Sequence, residues 1–128
     1  MKLIVVIPVY NEEKSIEIVV REWNHALQIL VPDQFTLLVI DDGSTDSTPQ
    51  ILGQLSNEIQ SLISHQKENS GHGPSCLFGY QKALELNAEW ILQIDSDYQC
   101  DSVYFDKFWN GTNHAKIIMG KRVKRLDG

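Results

Sequence analysis

The chain has 128 residues, 42% hydrophobic and 22% charged, a balance that supports a buried core and excludes a disordered or fibrous protein. Seventeen acidic side chains against eleven basic ones leave a net charge of −6, which argues against a nucleic-acid binder that works by neutralising phosphates. Two cysteines, Cys76 and Cys100, are too few for a disulfide framework or a four-thiolate zinc site, and read as free thiols in a reducing compartment.

The first element is an apolar run over Leu3–Val9 behind a single Lys2. It lacks a small-residue cleavage pattern, so it reads as a strand and not as a signal peptide. No run in the sequence approaches the roughly 20 apolar residues needed to cross a bilayer. Over 15–30, Ile16, Val19, Val20, Trp23, Leu27 and Leu30 recur at helical spacing, and Pro32 and Asp33 predict the stop. A second apolar strand is predicted over 35–40. Ser44-Thr45-Asp46-Ser47-Thr48-Pro49 then offers cap residues before a proline suited to a first helical turn. Ile51, Leu52, Leu55 and Ile59 continue as a helix stripe, and a weaker strand follows at 62–65. A third helix is predicted over 75–86 from Cys76, Tyr80, Ala83 and Leu84, with Gly79 allowing a close approach. Further strands fall at 90–94 and 116–119.

Strands that alternate with helices through short links make a parallel sheet with helices on its faces. The strands are continuously apolar, as buried parallel strands are. The fold class is therefore α/β, a three-layer sandwich, with no internal repeat or linker to divide residues 1–128.

In such sheets ligands bind at the carboxyl ends of the strands. Those ends carry Pro8-Val9-Tyr10-Asn11-Glu12, Asp41-Asp42-Gly43-Ser44, Asp95-Ser96-Asp97-Tyr98-Gln99 and Gly120-Lys121-Arg122. Neither a dinucleotide glycine fingerprint nor a phosphate-binding Gly-Lys-Ser/Thr loop is present, so a bound phosphate needs another source of positive charge. Asp95 and Asp97 stand two apart, and residues i and i+2 of an extended chain point the same way. Two carboxylates held that close repel unless a cation joins them. Hard oxygen ligands suit Mg²⁺ or Mn²⁺, and Gln99 can add a carbonyl oxygen. An isolated Asp-x-Asp is equally a pair of solvated loop acids.

Taken together, Val6-Ile7-Pro8-Val9-Tyr10-Asn11-Glu12-Glu13, Val39-Ile40-Asp41-Asp42-Gly43-Ser44-Thr45-Asp46, Gly71-x-Gly73 with Gly79 and Ala83, Asp95-Ser96-Asp97 and Gly120-x-Arg122 resemble glycosyltransferase family 2, of GT-A fold. The Asp-Ser-Asp-x-Gln form is most similar to the polyprenyl-phosphate branch, relatives of dolichyl-phosphate mannosyltransferase. The resemblance implies a UDP- or GDP-sugar donor and a lipid phosphate or glycan acceptor. It implies that Pro8, Tyr10 and Glu12 hold base and ribose, that Asp42 contacts the base with the backbone of Ile40 beside it, and that Asp41 ties the turn. Asp95 would reach ribose and metal, Ser96 would line the diphosphate, Asp97 and Gln99 would complete the metal site, and Arg122 would fork onto the phosphates. Asp97 and Arg122 would then carry catalysis by offsetting charge on the leaving diphosphate, in one inverting displacement.

Resembling enzymes are longer, so residues 1–128 are expected to be the donor-binding portion, with the acceptor half beyond them. The expected location is the cytoplasm, or the cytoplasmic face of a membrane reached through that further part. The alternative is a non-catalytic nucleotide-sugar-binding fragment or assembly module. A nucleotidyltransferase would open with a glycine-rich loop, and a haloacid-dehalogenase phosphatase would follow its Asp-x-Asp with Thr or Val where Tyr98 and Gln99 stand. His65, His72 and His114 have no partner at metal-site spacing, and Trp23, Trp90 and Trp109 read as core.

Overall fold

The computed structural model describes residues 2–30 and 35–96, together with the backbone of Ile117–Ile118. The described elements run β1 (Leu3–Val9), α1 (Ile16–Leu30), β2 (Phe35–Asp41), α2 (Thr48–Glu58), β3 (Leu62–Gln66), α3 (His72–Glu85), β4 (Trp90–Gln93) and β5 (Ile117–Ile118). They form one sheet in the order β3-β2-β1-β4-β5, and every neighbouring pair is parallel. The sequence-predicted strands and helices are all present, with ends that move by a few residues.

β1 is buried along its whole length because parallel neighbours flank it and helices cover both of its faces. Its side chains alternate between two cores. Leu3, Val5, Ile7 and Val9 join Leu37, Val39, Leu92 and Ile94 from the other strands beneath α1 and α2. Ile4 and Val6 join Leu38, Ile40 and Ile91 beneath α3. This is the three-layer sandwich, and it explains why the strands read as unbroken apolar runs. Each fully buried Leu, Ile or Val contributes about 1.5–3 kcal/mol relative to exposure.

α1 lays Ile16, Val19, Val20, Trp23 and Leu27 on the sheet. Its apolar stripe stops there, and Leu30, expected within it, is 39% exposed. Trp23 and Trp90 are core residues, as anticipated, while Trp109 and the predicted stop at Pro32 and Asp33 lie outside the described residues. α2 starts after Ser47, whose side chain makes no capping hydrogen bond. The polar cluster before Pro49 serves neighbouring loops instead, as described below.

α3 begins at His72, three residues earlier than its apolar spacing suggests. It buries Ser75, Cys76, Gly79 and Ala83, while Leu84, expected on the inner face, is 63% exposed. Small residues line the inner face because the helix lies close against the strands. A Cβ on Gly79 would collide with Val6 Cγ1 and meet Ile40 Cγ1 at 3.3 Å. On the outer part of this face, the Tyr80 hydroxyl donates to Gln93 Oε1 of β4, satisfying a buried amide.

Gly79→Ala should overpack this interface and cost about 1–3 kcal/mol. Gly53→Ala, at a position in α2 where nothing lies within 4 Å, should instead gain about 0.4–1 kcal/mol. Urea unfolding of the two variants beside the parent chain checks the opposite signs.

Candidate functional site

The register brings the ligand edge together. Val9 of β1 pairs with Asp41 of β2, and Asp41 pairs with Gln66 of β3, so these three strands end level. β4 ends beside Val6, and the Ile94 amide then donates to the Val6 carbonyl at 3.0 Å, carrying the chain on to Asp95 and Ser96. The segments that leave these strands enclose a cleft of about 330 Å³, lined by Pro8, Val9, Tyr10, Glu12, Asp42, Asn69, Gly71, His72, Ser75, Asp95 and Ser96.

The loop after β1 is stitched to the turn before α2. Asn11 adopts a left-handed backbone (φ 51°), which asparagine tolerates better than most residues. Its Oδ1 accepts from the Thr45 amide at 2.7 Å and the Asp46 amide at 3.3 Å, while its own amide donates to Ser44 Oγ at 2.8 Å. The Glu12 amide donates to Thr48 Oγ1 at 3.0 Å, and the Ser47 amide donates to Glu13 Oε1 at 2.9 Å. Asp46 accepts from the Thr48 amide at 2.9 Å and the Glu13 amide at 3.2 Å. Ser44–Thr48 therefore holds the neighbouring loop in place as well as starting a helix. On the other side, the Ser15 hydroxyl sits 2.8 Å from the Ser96 carbonyl and 2.9 Å from Glu12 Oε2, which ties the start of α1 to the segment after β4.

Asp41 and Asp42 have different tasks. Asp41 Oδ1 accepts from the Ser44 amide at 3.0 Å and closes the turn, as its position suggests. Gly43 within that turn has φ +74°, a conformation glycine adopts without strain. The Asp42 carboxylate faces the segment after β3. Its Oδ1 accepts from Lys67 Nζ at 2.7 Å and the Ser70 amide at 2.8 Å. Its Oδ2 accepts from the Gly71 amide at 2.9 Å and Asn69 Nδ2 at 3.3 Å. Burial alone would raise the Asp42 pKa, but the hydrogen bonds from Lys67, Ser70 and Gly71 outweigh it and hold the carboxyl below its ordinary value.

Of the residues named from sequence, Pro8, Tyr10, Glu12, Asp42, Asp95 and Ser96 surround this cleft. Tyr10 is 46% exposed and offers its ring at the rim. Ile40 is buried with its side chain in the core beneath α3 and does not line the cleft. Asp97, Gln99 and Arg122 lie outside the described residues, as do Lys121 and His114. His65 packs edge-on against Phe78 at 5.3 Å, an ordinary structural contact. Lys67, Asn69 and Ser75 carry no sequence signal of their own. The neighbouring Gly71-His72-Gly73 flags the region, but only the folded chain shows that it wraps Asp42.

Among the described residues no group of three or more His, Cys, Asp or Glu side chains could hold a metal ion. Of the expected ligands Asp95 alone is described, and its hard carboxylate in the cleft has the chemistry that Mg²⁺ or Mn²⁺ requires. Among the described residues, too, no helix is long and apolar enough to cross a membrane.

A parallel α/β sandwich with its acidic strand ends around one cleft is the arrangement of GT-A nucleotide-sugar transferases. The Glycosyl transferase family 2 model matches residues 4–128, and the chain belongs to that family. It is similar to an undecaprenyl-phosphate 4-deoxy-4-formamido-L-arabinose transferase of Photorhabdus laumondii, with 30% identity over 98% of this chain and 38% of the relative. It is also similar to the poly(ribitol-phosphate) beta-N-acetylglucosaminyltransferase TarS of Staphylococcus aureus, with 35% identity over 76% of this chain and 16% of the relative. The crystal structure of S. aureus TarS 1-349 in complex with UDP-GlcNAc superposes with a TM-score of 0.69 and 31% identity, covering 89% of this chain and 32% of that one. The chain thus spans well under half the length of these relatives.

The depressed Asp42 pKa sets a pH dependence. A carboxylate whose folded pKa lies below its unfolded value stabilises the native state fully above the ordinary 3.8, and that contribution drains away as pH falls through the lowered value. Asp42→Asn should therefore flatten the acid limb of stability below about pH 4 by up to ~1.4 kcal/mol per pH unit. Thermal unfolding of both chains between pH 6 and 3 checks this.

Proposed function

We propose that this chain binds a nucleoside-diphosphate sugar in the cleft and that the protein transfers the sugar to a polyprenyl phosphate or a glycan. The observation that carries the reading is the convergence of Pro8, Tyr10, Glu12, Asp42, Asp95 and Ser96, from the ends of β1, β2 and β4, on one cleft. In this reading the Tyr10 ring stacks on the base, and Glu12 accepts from base or ribose. Asp42 reads a base N–H, beside the backbone of Ile40. Asp95 meets the ribose, and Ser96 lines the diphosphate. The complex of TarS with UDP-GlcNAc supports a UDP-sugar over a GDP-sugar as donor.

Departure of the nucleoside diphosphate places growing negative charge on the phosphate and an oxocarbenium-like state on the sugar. The described cleft offers three carboxylates, of Glu12, Asp42 and Asp95, and one imidazole, of His72. Positive charge must come from elsewhere in the proposed site. Arg122 is proposed to fork onto the diphosphate oxygens. Asp95, Asp97 and Gln99 are proposed to hold Mg²⁺ or Mn²⁺, which when bound supplies Lewis-acid charge beside the leaving group. A lipid-phosphate acceptor arrives already anionic, so a single inverting displacement needs little help from a general base. The proposed location is the cytoplasm, or the cytoplasmic face of a membrane where the acceptor is a lipid phosphate.

Titration calorimetry with UDP, GDP and their sugars, with and without Mn²⁺, tests this on the chain as it stands. Binding should strengthen with the metal, and Asp97→Asn should weaken metal-dependent binding at least tenfold. Tight binding that ignores both the metal and the substitution would remove Asp97 from the site.

A further inference from the structure

Lys67 sits immediately after β3, where its backbone amide donates to the Asp41 carbonyl at 3.0 Å and extends the β2–β3 pairing by one step. Its ammonium turns back under the chain. It donates to Asp42 Oδ1 at 2.7 Å, to the Glu68 carbonyl at 2.9 Å and to Ser70 Oγ. The two side chains of the ion pair are only 15% and 6% exposed, so this contact is largely removed from solvent. An ion pair so placed behaves unlike a surface pair, because removing one partner leaves the other buried and uncompensated.

A carboxylate offers about four lone-pair positions, and Asp42 has four donors arranged around it. The two oxygens are not equivalent. Oδ1 is held by Lys67 and Ser70, neither of which lines the cleft. Oδ2 is held by Gly71 and Asn69, which both do. The Asn69 contact at 3.3 Å is the longest of the four, and the same amide also donates to the Asp42 carbonyl at 2.9 Å. Exchanging that one long bond costs the least, and the exchange lies on the cleft side.

We infer that Lys67 is a positioning residue for nucleotide recognition: it clamps Oδ1 of Asp42 against the segment after β3 and thereby presents Oδ2, ionised, to an N–H donor on the base of a nucleoside diphosphate. The inference rests on the nucleotide-sugar reading above and deepens it. Lys67 acts through Asp42 and need not touch the nucleotide. The other ionisable groups that line the cleft are Tyr10 and Glu12 after β1, Asp95 after β4 and His72 at the start of α3, and Asp41 and Glu68 are the chain neighbours of Asp42 and Lys67. Four of these six are carboxylic acids, so loss of the ammonium would move Asp42 toward the protonated form, in which an oxygen needed as an acceptor carries a hydrogen.

Calorimetry with UDP and with GDP, in Mg²⁺ buffer between pH 7 and 5, tests the inference on the parent chain, Lys67→Met, Lys67→Gln and Lys67→Arg. The parent should bind one nucleotide with a pH profile set by the nucleotide's own terminal phosphate, which titrates at about pH 6. Lys67→Met should bind about tenfold more weakly at pH 7 and lose more affinity toward pH 5 than the parent does, whereas Lys67→Arg, which keeps the charge, should restore the parent profile. Lys67→Gln retains a donor without the charge and should reproduce the acid-side loss even if Lys67→Met fails to fold. In the parent chain, UDP should leave amide exchange at Ser70 unchanged or slower, because the Oδ1 clamp persists in the complex. Parent-like affinity and pH profile in Lys67→Gln, or faster Ser70 exchange on UDP binding, would overturn the inference alone. Failure of the parent to bind either nucleotide would overturn the nucleotide-sugar reading, and the inference with it.

Discussion

The register of three parallel strands governs the rest of this structure. Because β1, β2 and β3 end level, the segments that leave them emerge beside one another, and β4 delivers Asp95 and Ser96 to the same edge. A strand shifted by one residue would exchange its two faces, sending Leu3, Val5 and Ile7 toward α3 and Ile4 and Val6 toward α1 and α2. Both faces are packed apolar layers, but the inner face of α3 is shaped around Gly79 and admits no larger neighbour at Val6. Packing therefore fixes the register, and the register places the acidic residues of the cleft.

At that edge, polar groups are held by other polar groups. Asn11 binds the turn before α2, Ser15 bridges Glu12 and Ser96, and Asp42 gathers the segment after β3. Apart from the local Ser15–Glu12 contact, each of these bonds spans two separate strand ends. Individually such bonds contribute about 0.5–1.5 kcal/mol, and those to charged groups about 1.5–3. Their main effect is geometric, since loops built largely of short polar residues have little apolar surface with which to hold their shape. Around Asp42 the cost of burial is met by four donors, which is why a carboxylate stays ionised among other acids.

Much of the architecture was legible in the sequence because buried parallel strands and an amphipathic helix leave periodic marks. Leu3–Val9 matches the observed strand at both ends, and the stripe of α1 from Ile16 to Leu27 follows its helical spacing. α3 departs from its apolar spacing at its start and on its inner face, since the close approach selects small residues there and leaves Leu77 and Leu84 outside. Apolar spacing reports which residues are greasy and cannot report that a helix sits too near its sheet to use them. The Ser44–Thr48 cluster looked like a helix cap, yet its side chains and amides answer to Asn11, Glu12 and Glu13, more than thirty residues back. Six of the seven described residues named for the site do converge on one cleft, because strand-end acids are visible in any α/β sequence. Lys67 was invisible, since one lysine after a weak strand resembles any solvated lysine until the fold returns it to Asp42.

Gly43 gives this arrangement an unusual dependence. A β-carbon placed on it would lie 2.8 Å from the Asn69 amide nitrogen and 3.2 Å from its Cα, closer than backbone atoms tolerate. The turn after one strand thus nests directly against the backbone that follows another, with no side chain between them. A missing methyl group sets how closely Asp42 and Asn69, two residues of the cleft wall, can be brought together, although Gly43 itself does not line that cleft.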